Sequence, residues 1–258
     1  MSYWKELLGE LIGTFILVFI GCGSVAVAVL YYPLSLWQIA LIWSIGVALA
    51  IFATRQYSAA HLNPAVTFAM LLAKKDSWRK LPSYFIVQLS GAVLASLLLL
   101  ALINSDLQRF ELENSILRGN PVSYKSAVMF GEFFPNTGFE NSLNVSHIQA
   151  CIYEGLGTMN LVLVIFLITR KDFGINNLVP LIIGLTVGAI IMVVAPYTQA
   201  GLNPARDFGP RLVAYFGGWE KAAFPKISGG FFTVYILSPM IGGAVARFIF
   251  YFLFEYKK

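Results

Sequence analysis

His61-Leu62-Asn63-Pro64-Ala65-Val66 and, 140 residues on, Gly201-Leu202-Asn203-Pro204-Ala205-Arg206 share the tripeptide Asn-Pro-Ala. Asn is a strong helix N-cap and Pro is suited to the first helical position, so each copy reads as the start of a helix. Each also sits in an apolar stretch too short to cross a bilayer. Two short helices at corresponding places in the halves of a membrane protein point to its binding or permeation site.

The surrounding composition supports a membrane reading. Of 258 residues, 58% are hydrophobic and only 12% are charged, with a mean hydropathy of +0.73, whereas a soluble domain carries roughly 25% charged residues. Six stretches have the length and apolarity of spanning helices, at 7–30, 36–54, 82–103, 148–169, 177–196 and 230–254. The first is too long and uninterrupted for a cleavable signal peptide. Runs such as Leu97-Leu98-Leu99-Leu100 do not alternate, which excludes a β-barrel.

Six spans put both termini on one side of the membrane. Lys5, Lys74, Lys75, Arg79, Lys80, Arg170, Lys171, Lys257 and Lys258 fall on that side, while the short loop at 31–36 has no basic residue. The positive-inside rule makes the shared side cytoplasmic, although Arg206, Arg211, Lys221 and Lys226 oppose it from the loop at 197–229. The expected location is the plasma membrane, or the inner membrane of a Gram-negative bacterium. The net charge of +5 is thereby explained without a nucleic-acid partner. Cys22 and Cys151 both fall in spans and read as small buried hydrophobes. With two His residues and no Cys/His cluster, no metal site is expected, nor any other cofactor.

The halves resemble each other beyond the tripeptide. Glu10-Leu-Ile-Gly13-Thr14 in the first span matches Glu154-Gly-Leu-Gly157-Thr158 in the fourth, and Gly91-Ala92-Val93 matches Gly243-Ala244-Val245. Three spans per half give the halves opposite orientations, an inverted-topology repeat. Repeat 1 covers about 1–103 and repeat 2 about 148–258 of a single channel domain. The link at 104–147 carries Arg109, Glu111, Glu113, Arg118, Glu132, Pro135 and Asn136 and reads as a solvated outer vestibule loop with some short structure. Within it, Asn144-Val145-Ser146 fits a glycosylation sequon, a pattern with common chance matches.

The helix from Pro64 to about Ala73 spans roughly 15 Å, half of a ~30 Å hydrocarbon core, and the one from Pro204 to about Phe216 is similar. Entering from opposite faces, they meet near the midplane with Asn63 and Asn203 side by side. The stretches Ala59-Ala60-His61-Leu62 and Gln199-Ala200-Gly201-Leu202 must then be irregular backbone lining a polar cavity, with carbonyls as a ladder of acceptors. The two Asn amides are central donors, and the facing helix N-termini repel cations. Arg206, one turn beyond Asn203, is expected on the pore wall, the alternative being an interfacial arginine. Asp207 and Arg211, four apart, pair along the helix. Glu10 and Glu154 suggest either a proton relay or, as the repeat favours, anchors for loop N–H groups. His61 reads as a loop anchor rather than a pH gate, and Trp43 on these grounds alone reads as packing.

These features make the chain resemble the aquaporin and glycerol-facilitator family over essentially its whole length, on Glu10-x-x-Gly-Thr14, His61-Leu-Asn-Pro-Ala-Val66 and Asn203-Pro-Ala-Arg-Asp-Phe-Gly-Pro210. The resemblance implies an all-α membrane fold of six tilted helices and two re-entrant half-helices, with Pro64, Ala65, Pro204, Ala205, Asp207 and Arg211 supporting the latter. It also implies one pore per subunit in a homotetramer, and a narrow outer filter of four positions, here Trp43, Ile191, Ala200 and Arg206. Water-selective members usually carry Phe and His at the first two. Trp and Ile instead give an amphipathic aperture suited to a linear polyol. Asp207, Arg211 and Ile236 also fit the glycerol-conducting pattern. Tyr235 departs from it, as do Ile191 and Ala200 where bacterial facilitators have Gly and Phe, and Ala59 replaces a usual Gly. The implied function is a passive, non-enzymatic channel for water and small uncharged solutes, with glycerol favoured and the lipid bilayer as its setting. The rivals are a mainly water-selective pore and an ion-coupled secondary transporter.

Overall fold

The computed structural model describes residues 2–74, 77–139, 143–170, 174–175, 177–226 and 229–256. Lys75, Lys171, Lys257 and Lys258, four of the basic residues used above to orient the chain, lie outside them. Among the described residues six helices are long and apolar enough to cross a membrane. They are α1 Tyr3–Leu30, α2 Leu36–Thr54, α4 Lys80–Glu113, α6 His147–Ile168, α7 Val179–Thr198 and the composite Phe231–Phe254. In the last, a π-helical stretch Phe231–Leu237 leads into α9, Ser238–Phe254. Two short helices, α3 Pro64–Leu72 and α8 Pro204–Ala214, follow the two Asn-Pro-Ala motifs. A single turn, α5 Tyr124–Ala127, lies in the link between the halves. No strand occurs among the described residues.

Local chemistry sets the helix starts. α6 begins in a capping box: Ser146 N donates to Gln149 Oε1 (2.9 Å) and Gln149 N returns a bond to Ser146 Oγ (3.3 Å). α3 and α8 each begin with proline after an asparagine in extended conformation, Asn63 at φ −157° and Asn203 at φ −142°. The Asn63 Oδ1 accepts from Ala65 N (2.8 Å), and the Asn203 Oδ1 accepts from Ala205 N (3.1 Å) and Arg206 N (3.2 Å). Prolines have no N–H to leave unpaired at this first position.

The third span is longer than its hydropathy suggests. α4 has 34 residues, roughly 50 Å of helix, and runs ten residues past Ile103, where the apolar stretch ends. Arg109, Glu111 and Glu113, expected in a solvated loop, are therefore helical. Ile103, Leu107 and Glu111 are buried at intervals of four, so this extension keeps one face packed while Arg109 and Glu113 stay exposed.

Packing follows the inverted repeat. Each half-helix lies against the long helix of the other half, α3 on α9 and α8 on α4, while α2 packs on α7. A Cβ on Gly91 would collide with the Leu11 carbonyl, and one on Gly242 with the Gly155 carbonyl. One position on, Ala92 touches the site of Gly209 on α8, and Gly243 meets Ala65 of α3. Gly91 and Gly242 are thus the equivalent positions of the two halves, one residue out of register from the Gly-Ala-Val pairing read in the sequence. The π-helical lead into α9 absorbs such a one-residue offset. The second position of each pair touches the other half, and the first brings α4 onto α1 and α9 onto α6.

The distribution of polarity is inverted relative to a soluble protein. Glu10, Gln88, Glu154, Asp207 and Arg211 are fully buried, while Leu41, Ile45, Leu49 and Phe52 on α2 are exposed. Both cysteines are free thiols, Cys22 buried and Cys151 half-buried.

Candidate functional site

Glu10 and Glu154 occupy equivalent places behind the two irregular loops. Glu10 accepts from His61 N (2.9 Å) and Leu62 N (2.7 Å), and Glu154 accepts from Gly201 N (2.9 Å) and Leu202 N (2.7 Å). A third donor completes each set, Gln88 Nε2 at 2.9 Å from Glu10 and Thr198 Oγ1 at 2.6 Å from Glu154. Buried carboxylates need such donors, and loop N–H groups turned away from the cavity need such acceptors. Ala60, Leu62, Gln199, Ala200 and Leu202 adopt left-handed backbone (φ 48–64°), which keeps both loops from continuing as helix. Ala59 is not among the left-handed residues, so its replacement of glycine requires no strained conformation.

The loops are stitched to each other at their tips. Asn63 Nδ2 donates to Leu202 O (3.0 Å) and Asn203 Nδ2 donates to Leu62 O (2.8 Å), a reciprocal pair across the repeat axis. Each carboxamide nitrogen has two hydrogens. One is used in this stitch, and the second is left for whatever stands between the motifs.

Both asparagines line a cavity of about 500 Å³. One wall is polar: Ala59, Ala60, His61, Leu62 and Asn63 from the first loop, Ala200, Gly201, Leu202 and Asn203 from the second, and Arg206. Among the described residues nothing donates to the carbonyls of Ala59, Ala60 or Ala200. The rest of the lining is mostly apolar and carries two stripes at intervals of four: Trp43, Val47 and Ile51 on α2, continued past its end by Arg55, and Val179, Ile183, Val187 and Ile191 on α7. Leu17 and Leu161, on α1 and α6, extend this apolar lining. The spacing that makes these stripes was present in the sequence, but two spans that are apolar all round hide which stripe faces inward.

Trp43, Ile191, Ala200 and Arg206, the four expected filter residues, all line the cavity. The guanidinium carbon of Arg206 stands 4.2 Å from the Trp43 ring centroid. The ring fits because residue 21 on α1 is glycine; a Cβ there would collide with it. Arg206 is buried and forms an ion pair with Glu132, from the link between the halves. Sequence reasoning placed Glu132 in a solvated loop and missed this contact, since nothing local marks a single acidic residue as the partner of a distant arginine.

Other expected site residues stand behind the cavity rather than on it. Gln199 does not line it; its side chain accepts from Phe133 N at 2.5 Å. Pro64, Ala65, Pro204 and Ala205 are buried in the first turns of α3 and α8. Arg211 bonds Asp207 through Nε (3.1 Å) and Nη2 (2.6 Å), and also the carbonyls of Glu132 (2.6 Å) and Ala223. The His61 ring packs beside Tyr84, with centroids 5.6 Å apart. Tyr235 is fully buried, donates to Thr198 O (3.0 Å) and is absent from the cavity wall.

Residues 1–250 match the family described as Major intrinsic protein. The chain belongs to the major intrinsic protein family. Among its relatives in this family, the glycerol uptake facilitator protein of Pseudomonas aeruginosa is 37% identical over 251 residues, covering 95% of this chain and 86% of the relative. The propanediol uptake facilitator of Salmonella typhimurium is 36% identical over 252 residues, covering 95% and 92%. The X-ray structure of the aquaglyceroporin from Plasmodium falciparum superposes with a TM-score of 0.80 at 27% identity, covering 97% of this chain and 96% of the other. As a major intrinsic protein with six apolar helices, the chain is a multi-pass membrane protein of a channel family, with the inverted fold that the paired motifs imply.

Proposed function

We propose that this major intrinsic protein conducts glycerol and related small polyols passively, together with water, along the cavity between the two half-helices. The observation that carries this reading is the mixed lining, with loop carbonyls, two asparagines and Arg206 in the same cavity as two apolar stripes. A linear polyol presents hydroxyls along one edge and C–H groups along the other. The hydroxyls accept from Asn63, Asn203 and Arg206 and donate to the free loop carbonyls, while the carbon edge lies on Trp43, Val47, Ile51, Val187 and Ile191. Replacing water's bonds by fixed donors and acceptors lowers the desolvation cost of entry without a coupled ion. The facilitator names of the relatives agree with glycerol, and one points to propanediol as well.

In this reading Asn63 and Asn203 form the central constriction, Trp43, Ile191, Ala200 and Arg206 the selective end, and Glu10 and Glu154 the loop anchors. Lys5, Lys74, Arg79, Lys80 and Arg170, on the face that carries the termini, support a cytoplasmic assignment for that face. The chain is then a plasma-membrane or bacterial inner-membrane protein, acting as a homotetramer with one passage per subunit. No enzymatic role enters the account.

Stopped-flow light scattering on liposomes containing the purified protein tests it, with glycerol, 1,2-propanediol and urea offered in turn. Glycerol and propanediol should equilibrate well above the rate of protein-free liposomes. Fast water flux with glycerol at the protein-free rate would overturn the polyol reading in favour of a water-selective pore.

A further inference from the structure

Glu132 reaches the selective end of the cavity from the link between the halves and is held there at three points. Its carboxylate pairs with Arg206, and both side chains are about 6% exposed. Its N–H donates to Asp207 Oδ1 (2.8 Å), and its carbonyl accepts from Arg211 Nη2 (2.6 Å). The preceding residue is Gly131, where a Cβ would stand 2.9 Å from the Arg211 guanidinium carbon, so the link comes this close only as glycine.

The charges at this end balance. Asp207 and Arg211 are fully buried and satisfy each other. Arg206 and Glu132 form the second pair. At the midplane the Glu10 and Glu154 carboxylates lie behind the loops, near the inward-pointing N-termini of α3 and α8. A lone arginine on a narrow, poorly solvated wall repels cations but attracts anions. A carboxylate close to Arg206 removes that attraction and leaves the desolvation cost of the anion uncompensated, and Glu132 is the carboxylate paired with it.

Resting on the reading of the cavity as a solute passage, we propose that Glu132 is a positioning and selectivity residue. It fixes the Arg206 guanidinium against Trp43 and cancels its charge, so that the donors of Arg206 serve neutral hydroxyls while small anions gain nothing by entering.

Chloride is the probe. Liposomes loaded with a chloride-quenched fluorophore, with valinomycin and K⁺ to dissipate potential, report its entry, and glycerol swelling of the same liposomes reports an open passage. Wild type and Glu132→Asp should pass glycerol and admit chloride no faster than protein-free liposomes. Glu132→Gln should admit chloride on the order of a hundredfold faster, the factor that one unit charge ~5 Å away gives at an effective dielectric of ~20. The double variant Glu132→Gln/Arg206→Gln, neutral again, should lose that chloride flux. If Glu132→Gln does not pass glycerol, Glu132→Ser, smaller and equally uncharged, takes its place. A charge-neutralised variant that passes glycerol but admits chloride no faster than wild type would overturn the proposal, as would wild type that itself admits chloride. Absence of glycerol flux in wild type would instead reject the solute passage on which the proposal rests.

Discussion

Glu10 and Glu154 each hold two consecutive loop N–H groups and one side-chain donor in a fully buried site. A glutamine there turns one acceptor oxygen into a donor that faces donors. Glu10→Gln and Glu154→Gln should each lower stability by about 1–3 kcal/mol, read as a fall in the unfolding temperature in detergent. Loss in only one of them would break the equivalence of the two anchors. These residues were legible in the sequence, because the repeat places each at the same point of its half. The four residues proposed as the selective end were reachable only through family resemblance. Residue chemistry alone leaves Trp43 as packing, since nothing local aims a span residue at a cavity. Glu132 was not legible at all: its partner is distant in sequence and its own segment is irregular. The selective end makes its own prediction. Trp43→Phe combined with Ile191→His replaces the flat apolar face by a smaller ring and a polar one, and should suppress glycerol flux severalfold more than water flux in light scattering. Equal loss of both would reject this assignment.

At the scale of elements, the half-helices were readable because an asparagine cap and a proline at the first turn give the same instruction twice. The end of α4 was not. Its last ten residues are charged enough to resemble a loop, and only the interval of four among Ile103, Leu107 and Glu111 marks them as helix. Likewise the Gly-Ala-Val match misplaced the helix contact by one residue, since a π-helical stretch leaves no sequence signature. The corrected register can be checked with two glycines. A Cβ at Gly23 meets nothing within 4 Å, so Gly23→Ala should stabilise α1 by about 0.5–1 kcal/mol through reduced backbone entropy. A Cβ at Gly242 collides with the Gly155 carbonyl, so Gly242→Ala must separate α9 from α6 and should cost about 1–3 kcal/mol. Thermal unfolding of the two variants in one detergent compares them; a tolerated Gly242→Ala would mean that the close helix contact lies elsewhere.

Across the whole molecule, hydropathy and the duplicated motif were enough to specify six spans, two half-helices and an inverted repeat, because the bilayer allows irregular backbone only where it is enclosed. What they could not specify is the cross-section of the enclosed space, which depends on how α2 and α7 are rotated about their axes. That rotation turns two apolar stripes into the cavity that the loops also line, and in the proposed reading a passive passage of this kind needs no element to move for a solute to cross. An ion-coupled transporter would need an ion site and a change of access, and its uptake would saturate. The direct test is glycerol entry into liposomes containing the purified protein, measured by light scattering over a wide range of glycerol gradients, in Na⁺-free buffer with a protonophore present. The account predicts entry that is fast relative to protein-free liposomes, proportional to the gradient and unchanged by removing Na⁺ and proton gradients. Saturable entry that stops when those gradients are removed would contradict it.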